Sequence, residues 1–322
     1  MTAFHCDSIR GKVHLTAVTS VSAPRSLPAA LLRTLRTDRW ALAGAIVIVV
    51  LVFVAAAAPL LAAIEGQDPN AYNIGALNPA NGLPAGALGG VSGTHWFGVE
   101  PLTGRDLFAR VCYGARTSFL IGLAATVVAV VVGTLLGASA GYLGGWFNRV
   151  ITWLTDVLLG FPYLVFMIAL GAIAPPSVPR PLLLTLVIGF FGWPSITRIV
   201  RSQTLALRER KFVSSARAMG ASPWHVFRTE LLPNLWAPII VVATLNIPSN
   251  IGFEAALSFL GAGIPPPTPS WGQSISTASD WISSDPMFLL FPSAALFLAT
   301  WSFNIFGDGL RDALDPRMVV RR

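Results

Sequence analysis

Long apolar stretches constrain the fold of this chain more than any other feature of its sequence. Six stretches of roughly 19 to 26 residues are each apolar enough to cross a hydrocarbon core that takes about 20 helical residues. They are Trp40–Ile64, Thr117–Ala140, Val150–Ala174, Leu182–Val200, Leu235–Leu260 and Met287–Phe306. Charged residues make up only 11% of the chain, against about 25% in a soluble domain. Because lipid cannot satisfy the backbone of an open strand, we expect an all-α integral membrane protein with about six spanning helices.

The distribution of basic residues predicts how these helices are oriented. Eighteen of the 22 lysines and arginines fall on the side of the N-terminus, and the four on the other side are Arg105, Arg110, Arg116 and Arg180. Since cytoplasmic segments carry the excess of basic residues, both termini are predicted to be cytoplasmic. Residues 1–39 then form a cytoplasmic tail, 40–64 the first span and 65–116 an extracellular loop. Residues 117–322 hold the remaining spans and a cytoplasmic loop at 201–233.

Other features of the sequence narrow the class of protein. The net charge of +7 follows from this topology, and without a basic and aromatic reading surface no nucleic-acid partner is expected. About 39 residues precede the first apolar run, more than the short head of a cleaved signal peptide, so this run is predicted to be retained. Cys6 and Cys112 would lie on opposite sides of the membrane and cannot pair. His5, Cys6 and His14 lack the spacing of a zinc finger, so no metal site is expected.

The end of the extracellular loop shows a short helical pattern from Arg105 to Tyr113. Its apolar stripe consists of Leu107, Phe108, Val111 and Cys112. Asp106 and Arg110 stand four residues apart and are expected to pair on the opposite side. The pattern fits a helix lying on the membrane surface. It fits equally well the first turns of the second spanning helix.

The cytoplasmic loop 201–233 has the pattern of a helix, a turn and a second helix. Phe212 to Met219 favours a short helix, and Gly220 can supply its left-handed C-terminal cap. Ser222 followed by Pro223 is a favourable N-cap and first helical position, and Pro233 is expected to kink or end the second helix. Small side chains would let another protein approach closely, and basic ones supply charge; they are Ser214, Ser215, Ala216 and Ala218, with Arg208, Arg210 and Lys211. An ordinary solvated loop is the alternative.

Few polar side chains lie at membrane depth, and such residues are candidates for a solute path because they are costly in lipid. Asn246, Asn250 and Glu254 recur every four residues and share one face of the fifth span, joined by Ser249 and Ser258. Asp156 stands among apolar neighbours in the third span. The alternative is that these groups form hydrogen bonds between helices or to another subunit.

A proline-rich segment, Ile264–Gly272, follows the fifth span, with Trp271 and Trp281 beside it. Consecutive prolines stiffen the chain in an extended form, so the segment is predicted to form a wall of the path or a docking surface. The two tryptophans fit an interfacial aromatic belt.

Several blocks of the sequence resemble one family of transport proteins. They are HWFGVEPLTGRDLFARVCYGARTSFLIG from His95, GYLGGWFNRVITWLTDVLLGFPYL from Gly141, SSARAMGASPWHVFRTELLPN from Ser214, EAALSFLGAGIPPPTPSWG from Glu254 and NIFGDGLRDALDPR from Asn304. From Gly93 onward the chain is similar to the C-type permease subunit of dipeptide and oligopeptide ABC importers, a group that includes nickel and glutathione permeases. The third block resembles the family's "EAA" loop in the placement of Gly220 and Pro233. Where that loop usually begins with Glu and two Ala, this chain has Ser214, Ser215 and Ala216, and Glu230 replaces an aliphatic residue.

The resemblance implies the transmembrane domain of a type I ABC importer, with a loop that couples to a separate ATPase. The implied coupling residues are Phe212, Ser214, Ser215, Ala216, Arg217, Gly220 and Pro233. The implied partners are a second, B-type permease, two ATP-binding domains and an extracellular binding protein, in the lipid of a bacterial inner membrane. The chain has no phosphate-binding G-x-x-x-x-G-K-[ST] motif, so ATP and magnesium are assigned to the partner subunits and no cofactor or enzymatic activity to this chain.

Short peptides are the expected substrate, and nickel, glutathione or haem are alternatives compatible with the same resemblance. Two other classes, a passive channel and a secondary transporter, are also compatible with a polytopic helical chain. A secondary transporter typically contains inverted repeats and more spans, and the sequence shows no convincing internal repeat. A channel would not need the basic helical loop.

Overall fold

Helices form most of the described part of the chain, which comprises residues 35–36, 38–173, 175 and 177–314 of a computed structural model. Within those residues there is no β-strand, in agreement with the predicted all-α fold. The main helices are α1 (Arg39–Ala56), α2 (Ala58–Glu65), α3 (Leu107–Leu143), α4 (Gly145–Leu159), α5 (Tyr163–Ile173), α6 (Arg180–Arg208), α7 (Lys211–Ala218), α8 (Pro223–His225), α9 (Leu232–Phe259), α10 (Trp271–Ser279) and α11 (Pro286–Leu314).

Within the described part of the chain, five helical stretches are long and apolar enough to cross a membrane. They are Arg39–Ala56, Leu107–Leu143, Arg180–Arg208, Pro223–Phe259 and Pro286–Leu314. The predicted third span, Val150–Ala174, is instead two helices, α4 and α5, bent by 72° at a short break. Phe161 and Pro162 lie in this break, and proline cannot donate the hydrogen bond that would continue α4. Counted as one span, the pair gives the six that were predicted.

The longest helix, α3, packs most extensively against α6, and a row of glycines permits this contact. Gly133, Gly137 and Gly141 recur every four residues on α3. A Cβ atom at Gly133 would lie 2.7 Å from the Ile196 Cβ, and one at Gly137 would lie 2.7 Å from the Thr197 carbonyl oxygen. Such small residues let two backbones approach closely where lipid gives no hydrophobic drive for association. The two helices therefore form the rigid centre of the subunit.

The start of α3 corrects the expectation of a separate surface helix at Arg105–Tyr113. The helix begins at Leu107 and runs without a break to Leu143, so the pattern belongs to the first turns of the second span. The pairing of Asp106 with Arg110 was also wrong. The Asp106 carboxylate caps α3 by accepting a 2.7 Å hydrogen bond from the Ala109 N–H, and its other oxygen lies 2.8 Å from the His95 Nδ1.

The core at the start of α3 contains Trp271, which the sequence placed at the membrane interface. Trp271 is 1% exposed, and its indole N–H donates a 3.0 Å hydrogen bond to the Val111 carbonyl oxygen. Its ring packs edge-to-face on Phe119 with the centroids 5.5 Å apart. Trp281 packs partly buried against the same core. The interfacial role was therefore wrong for Trp271, because its ring fills the space between α3 and α10.

The second helix of the cytoplasmic loop continues through Pro233, which was expected to kink or end it. Helix runs from Pro223 to Phe259, and its turns at Val226–Leu231 widen into a π-helix. Proline in an ordinary α-helix clashes with the carbonyl four residues earlier. A wider turn just before Pro233 changes that spacing, as π-bulges do elsewhere. The second helix of the loop and the fifth span thus form one continuous helix.

Candidate functional site: the cytoplasmic coupling surface

The cytoplasmic loop folds into a compact unit with its own small core. Val213 and Ala216 of α7 pack with Val226 and Leu231 of the following helix, all four buried. The turn between the two helices has the predicted form. Gly220 has a φ of +85°, and the next residue's N–H bonds to the Ala216 carbonyl at 3.1 Å.

The second helix begins as the sequence predicted. The Ser222 hydroxyl accepts a hydrogen bond of 3.3 Å from the His225 N–H, and Pro223 occupies the first turn. A serine N-cap stabilises a helix by about 1 kcal/mol. The turn geometry is therefore fixed locally, by one left-handed glycine and one cap, before any contact with the membrane domain.

Six of the seven predicted coupling residues lie on the surface of this unit, and one lies inside it. Those exposed are Phe212, Ser214, Ser215, Arg217, Gly220 and Pro233, whereas Ala216 is 7% exposed and belongs to the small core. A shallow cavity with a volume of about 410 Å³ lies on this unit. It is lined by Ala216, Met219, Gly220, Ala221, Ser222, His225 and Glu230.

Two apolar side chains that the sequence reasoning did not assign are the most prominent feature of this surface. Met219 is 82% exposed and Trp224 is 68% exposed, on either side of Gly220. Large apolar side chains clustered at an exposed turn commonly mark a protein contact. The sequence signal that could have identified Met219 and Trp224 was their position beside the cap residues Gly220 and Ser222 in a basic loop. We call Phe212, Met219, Trp224 and the cavity that Met219 and Gly220 help to line the coupling surface.

The coupling surface is joined to the membrane helices through Tyr142, near the end of α3. The Tyr142 hydroxyl donates a 2.7 Å hydrogen bond to the Pro223 carbonyl oxygen, and its ring carries the Arg217 guanidinium 5.8 Å from the centroid. Leu207 of α6 packs against the same small core. The loop is therefore in direct contact with α3 and α6 and continuous with α9.

The polar row on α9 lies on one side of the helix, but its members face different surroundings. Asn250 is 2% exposed and donates a 2.9 Å hydrogen bond to the Thr126 hydroxyl. Glu254 is fully buried and accepts hydrogen bonds from Ser118 at 2.7 Å and Ser258 at 2.8 Å. These contacts join α9 to α3. Asn250 and Glu254 therefore do not line an open path in this conformation. They instead form hydrogen bonds between helices, which was the alternative prediction.

The remaining members of the path prediction are more accessible. Asn246 is half-buried and donates to the Val242 carbonyl oxygen at 2.8 Å, while Ser249 is exposed. Asp156 of α4 is exposed too, but it does not stand alone among apolar neighbours. Its carboxylate pairs with the Arg198 guanidinium at 2.6 Å, which the sequence missed because α4 and α6 are distant along the chain.

Several buried charged groups lie in the segment between α2 and α3 and at the start of α3. Arg110 of α3 pairs with Glu100 of the segment, and Arg105 lies 3.1 Å from the same Glu100 carboxylate. Burial raises the pKa of Glu65 to about 7, although the hydrogen bond from the Trp96 N–H opposes the rise. Burial also raises the pKa of Asp285, partly offset by the N–H groups of Phe288 and Met287 at the start of α11.

No group of three or more His, Cys, Asp or Glu side chains suited to a metal occurs among the residues that the structure describes. His5, Cys6 and His14 lie outside those residues. The described surface instead offers an exposed apolar turn, suited to a protein contact and fixed to a bundle of long apolar helices.

The described residues form a polytopic helical bundle with an exposed, structured turn, and comparison with known proteins identifies its family. The chain belongs to the family described as "Binding-protein-dependent transport system inner membrane component", whose profile matches residues 133–320. A second profile, "N-terminal TM domain of oligopeptide transport permease C", matches residues 29–80. The chain is thus a multi-pass inner-membrane protein and the permease subunit of an ABC importer.

Named relatives fall into two transport systems. The chain is 38% identical over 286 residues to the dipeptide transport system permease protein DppC of Alkalihalophilus pseudofirmus, covering 89% of this chain and 88% of the relative. It is 39% identical over 229 residues to the glutathione transport system permease protein GsiD of Pectobacterium atrosepticum, covering 71% and 75%. The resemblance to a C-type permease is therefore confirmed.

A solved structure shares the fold. A chain of the MetNI methionine ABC transporter, crystallised in inward-facing conformations, superposes with a TM-score of 0.50 at 21% identity, covering 65% of this chain and 96% of that chain. The predicted fold, the transmembrane domain of an ABC importer, is confirmed at this level.

Proposed function

We propose that this permease moves short peptides or glutathione-like solutes into the cell, driven by ATPase subunits that dock on the coupling surface. The two named relatives, one a dipeptide permease and one a glutathione permease, support a small solute of peptide character. By the same reasoning an extracellular binding protein delivers the solute, and a second, B-type permease completes the path. ATP and magnesium are bound by two partner ATP-binding domains.

One observation carries the ATPase docking: the exposure of Met219 and Trp224 at a turn that is otherwise rigid. Water contact with two large apolar side chains is unfavourable by about 25 cal/mol per Å² of their exposed area. A groove on a partner would remove that area from water, and the exposed Arg217 and Lys211 beside it would meet acidic groups. The turn is built locally, so docking would not require it to fold.

The connection of this turn to α3, α6 and α9 suggests how ATP binding changes access to the path. Closure of two ATP-binding domains would displace α7, and Tyr142 and Leu207 would carry the displacement into the bundle. Asn246 and Ser249 of α9 are proposed to line the path, since they are the accessible members of the polar row. The cytoplasmic position of both termini, and thus of this surface, is part of the proposal.

Alanine substitution of Trp224 tests the docking. Trp224→Ala should lower the amount of ATPase subunit that copurifies with the permease, because the large anchor of the contact is lost. Trp40→Ala is the matched control, since Trp40 is also 68% exposed but lies on α1, away from the turn. Equal loss of ATPase from both variants, or from neither, would contradict the proposal.

A further inference from the structure

The break between α4 and α5 leaves non-helical backbone exposed within an apolar part of the chain. Gly160, Phe161 and Pro162 connect the two helices and are all exposed. The last carbonyl groups of an α-helix have no partner inside the helix. Such backbone is tolerated at membrane depth only where it is buried in protein or lines a water-filled cavity. The exposed break therefore faces water or a partner subunit, and not lipid.

An exposed ion pair lies one helical turn before this break. The Asp156 carboxylate and the Arg198 guanidinium are 2.6 Å apart, and the two side chains are 57% and 58% exposed. Arg198 stands ten residues before the end of α6 at Arg208, which places it about 15 Å along the helix from the coupling loop. Two half-exposed charges at that depth are costly in lipid. The ion pair and the exposed break between α4 and α5 are two independent indications that this surface faces water or a partner subunit.

Polar residues continue this surface along both helices. On α4, Asn148, Thr152 and Asp156 recur every four residues, and the Asn148 side chain accepts a hydrogen bond from Arg201. On α6, Ser195 and Ser202 are exposed on either side of Arg198. The described charged groups of these two faces are Arg149, Asp156, Arg198 and Arg201. Only one of them is acidic, so Asp156 is the single place on this surface where a cation would be favoured.

We propose that Asp156, Arg198 and the carbonyl end of α4 form a transit site for a zwitterionic solute with a free ammonium group and a free carboxylate. The ammonium group replaces Arg198 beside Asp156 and is further stabilised by the C-terminal end of the α4 dipole, which favours cations. The carboxylate replaces Asp156 on the Arg198 guanidinium, a donor that binds carboxylates through two hydrogen bonds. The empty site is held closed by its own ion pair.

The inference deepens the proposed function and rests on it, because a peptide or glutathione carries both end groups. It also connects the site to the ATPase. Arg198 and the coupling helix α7 are joined through the last turns of α6 and two further residues. A displacement of α7 would shift Arg198 against Asp156, so that the site opens and closes with the ATPase cycle.

Uptake by the assembled complex in proteoliposomes tests the site, with glycylglycine as solute. Asp156→Asn and Arg198→Gln should each lower the maximal uptake rate about tenfold or more, the usual effect of losing one charge-assisted hydrogen bond. The solute concentration at half-maximal rate should stay unchanged, because the binding protein captures the solute. Arg116→Gln, an exposed arginine near the start of α3 and outside this surface, is the control and should transport at the wild-type rate. Wild-type rates in both site variants would overturn the site.

A charge-swapped variant separates a transit site from a structural clamp between α4 and α6. Asp156→Arg with Arg198→Asp keeps the ion pair but moves the carboxylate away from the carbonyl end of α4. A transit site should remain impaired in this double variant. Recovery of the wild-type uptake rate would show that the pair only clamps two helices, and would overturn the proposal.

The reactivity of a cysteine at position 198 tests the transit site even if uptake cannot be measured. Arg198→Cys, in a background without Cys6 and Cys112, should react with a negatively charged methanethiosulfonate in the assembled complex. Glycylglycine should slow the reaction, whereas N-acetyl-glycylglycine amide, which lacks both charges, should not. A wild-type complex that takes up no peptide would contradict the proposed function, and the cysteine reaction would still test the site. An unreactive cysteine, or one that both solutes protect equally, would overturn it.

Discussion

Arg110 and Glu100 form a buried ion pair, with the guanidinium Nε 2.5 Å from the carboxylate Oε1, between the first turn of α3 and the extracellular loop. Arg110 has no exposed surface. Its other nitrogens donate to the carbonyl oxygens of Pro69 and Pro267, at 3.2 and 3.3 Å, and to the Gln273 side chain at 2.7 Å. One side chain therefore holds three separate segments around the extracellular end of the bundle.

Removal of one partner of this pair should strongly destabilise the subunit. Arg110→Met breaks this buried pair and leaves Arg105 as the remaining partner of the Glu100 carboxylate, and breaking a buried pair costs about 3 to 5 kcal/mol. We expect a lower melting temperature in detergent and a lower yield of folded protein. The double variant Arg110→Met with Glu100→Gln should recover part of the loss, because position 100 then carries no buried charge, although Arg105 loses its partner. A single variant as stable as the wild type would contradict this role.

Gly220 provides a test of the turn that is independent of the side chains on the coupling surface. A β-branched residue is a poor occupant of its left-handed conformation, so Gly220→Val should distort the turn and lower ATP-driven uptake and stimulated ATPase activity. The permease should still insert into the membrane.

Gly66 supplies the matched control for this substitution. Its φ is +83°, and a Cβ atom there would meet nothing within 4 Å, as at Gly220. Gly66→Val imposes the same local strain on the C-terminal cap of α2, away from the coupling surface. We expect it to keep coupled ATPase activity, measured per assembled complex. Equal loss of coupling in the two variants would refute a specific role for the Gly220 turn.

The pKa of Glu65 predicts a pH dependence of the extracellular segment. Its value of about 7 exceeds the ordinary 4.5 because the carboxyl group is buried, with His95 and Asp106 nearby. The folded state then binds more protons than the unfolded state between these values, so the stability of the segment falls as pH rises from about 4.5 to about 7. Hydrogen exchange around Trp96, corrected for the intrinsic rate, should be faster at the upper end.

Glu65→Gln is the control for this effect, since it removes the titrating group and keeps the shape of the side chain. The variant should lose the part of the pH dependence that lies in this window. An unchanged profile would contradict the assignment of this pH dependence to Glu65.

Labelling of single cysteines tests the orientation of the chain. In a background without Cys6 and Cys112, Ser92→Cys and Ser214→Cys place thiols at two exposed positions on opposite sides of the predicted topology. An impermeant maleimide should label the Ser92 site in spheroplasts, and the Ser214 site only after the membrane is opened. Labelling of the Ser214 site in sealed spheroplasts would reverse the topology and remove the coupling surface from the cytoplasm.

The sequence predicts those features that depend on local chemistry. The spans follow from the length of apolar runs, and the left-handed Gly220 and the Ser222 cap follow from the conformations that these residues favour. The bend near Pro162 also had a local signal, a proline inside an apolar run, but that run was long enough to be taken as one helix.

Contacts between distant segments were not predictable in the same way. Folding of the bundle brings Arg198 to Asp156 and Arg110 to Glu100. The spacing of residues along the chain does not identify these partners. Trp271 looked interfacial since aromatic residues favour that region, whereas its burial depends on the space between α3 and α10. Glu254 and Asn250 shared a predicted face, but only packing shows that this face meets α3.

Uptake in proteoliposomes tests the central claim, ATP-driven import through this permease, most directly. The complex of this chain with its second permease, two ATP-binding domains and binding protein would be reconstituted, and labelled dipeptide and glutathione would be supplied with and without magnesium ATP. We expect a solute to accumulate above its outside concentration only when ATP and the binding protein are both present. Equilibration without ATP, or accumulation driven by an ion gradient alone, would contradict the claim.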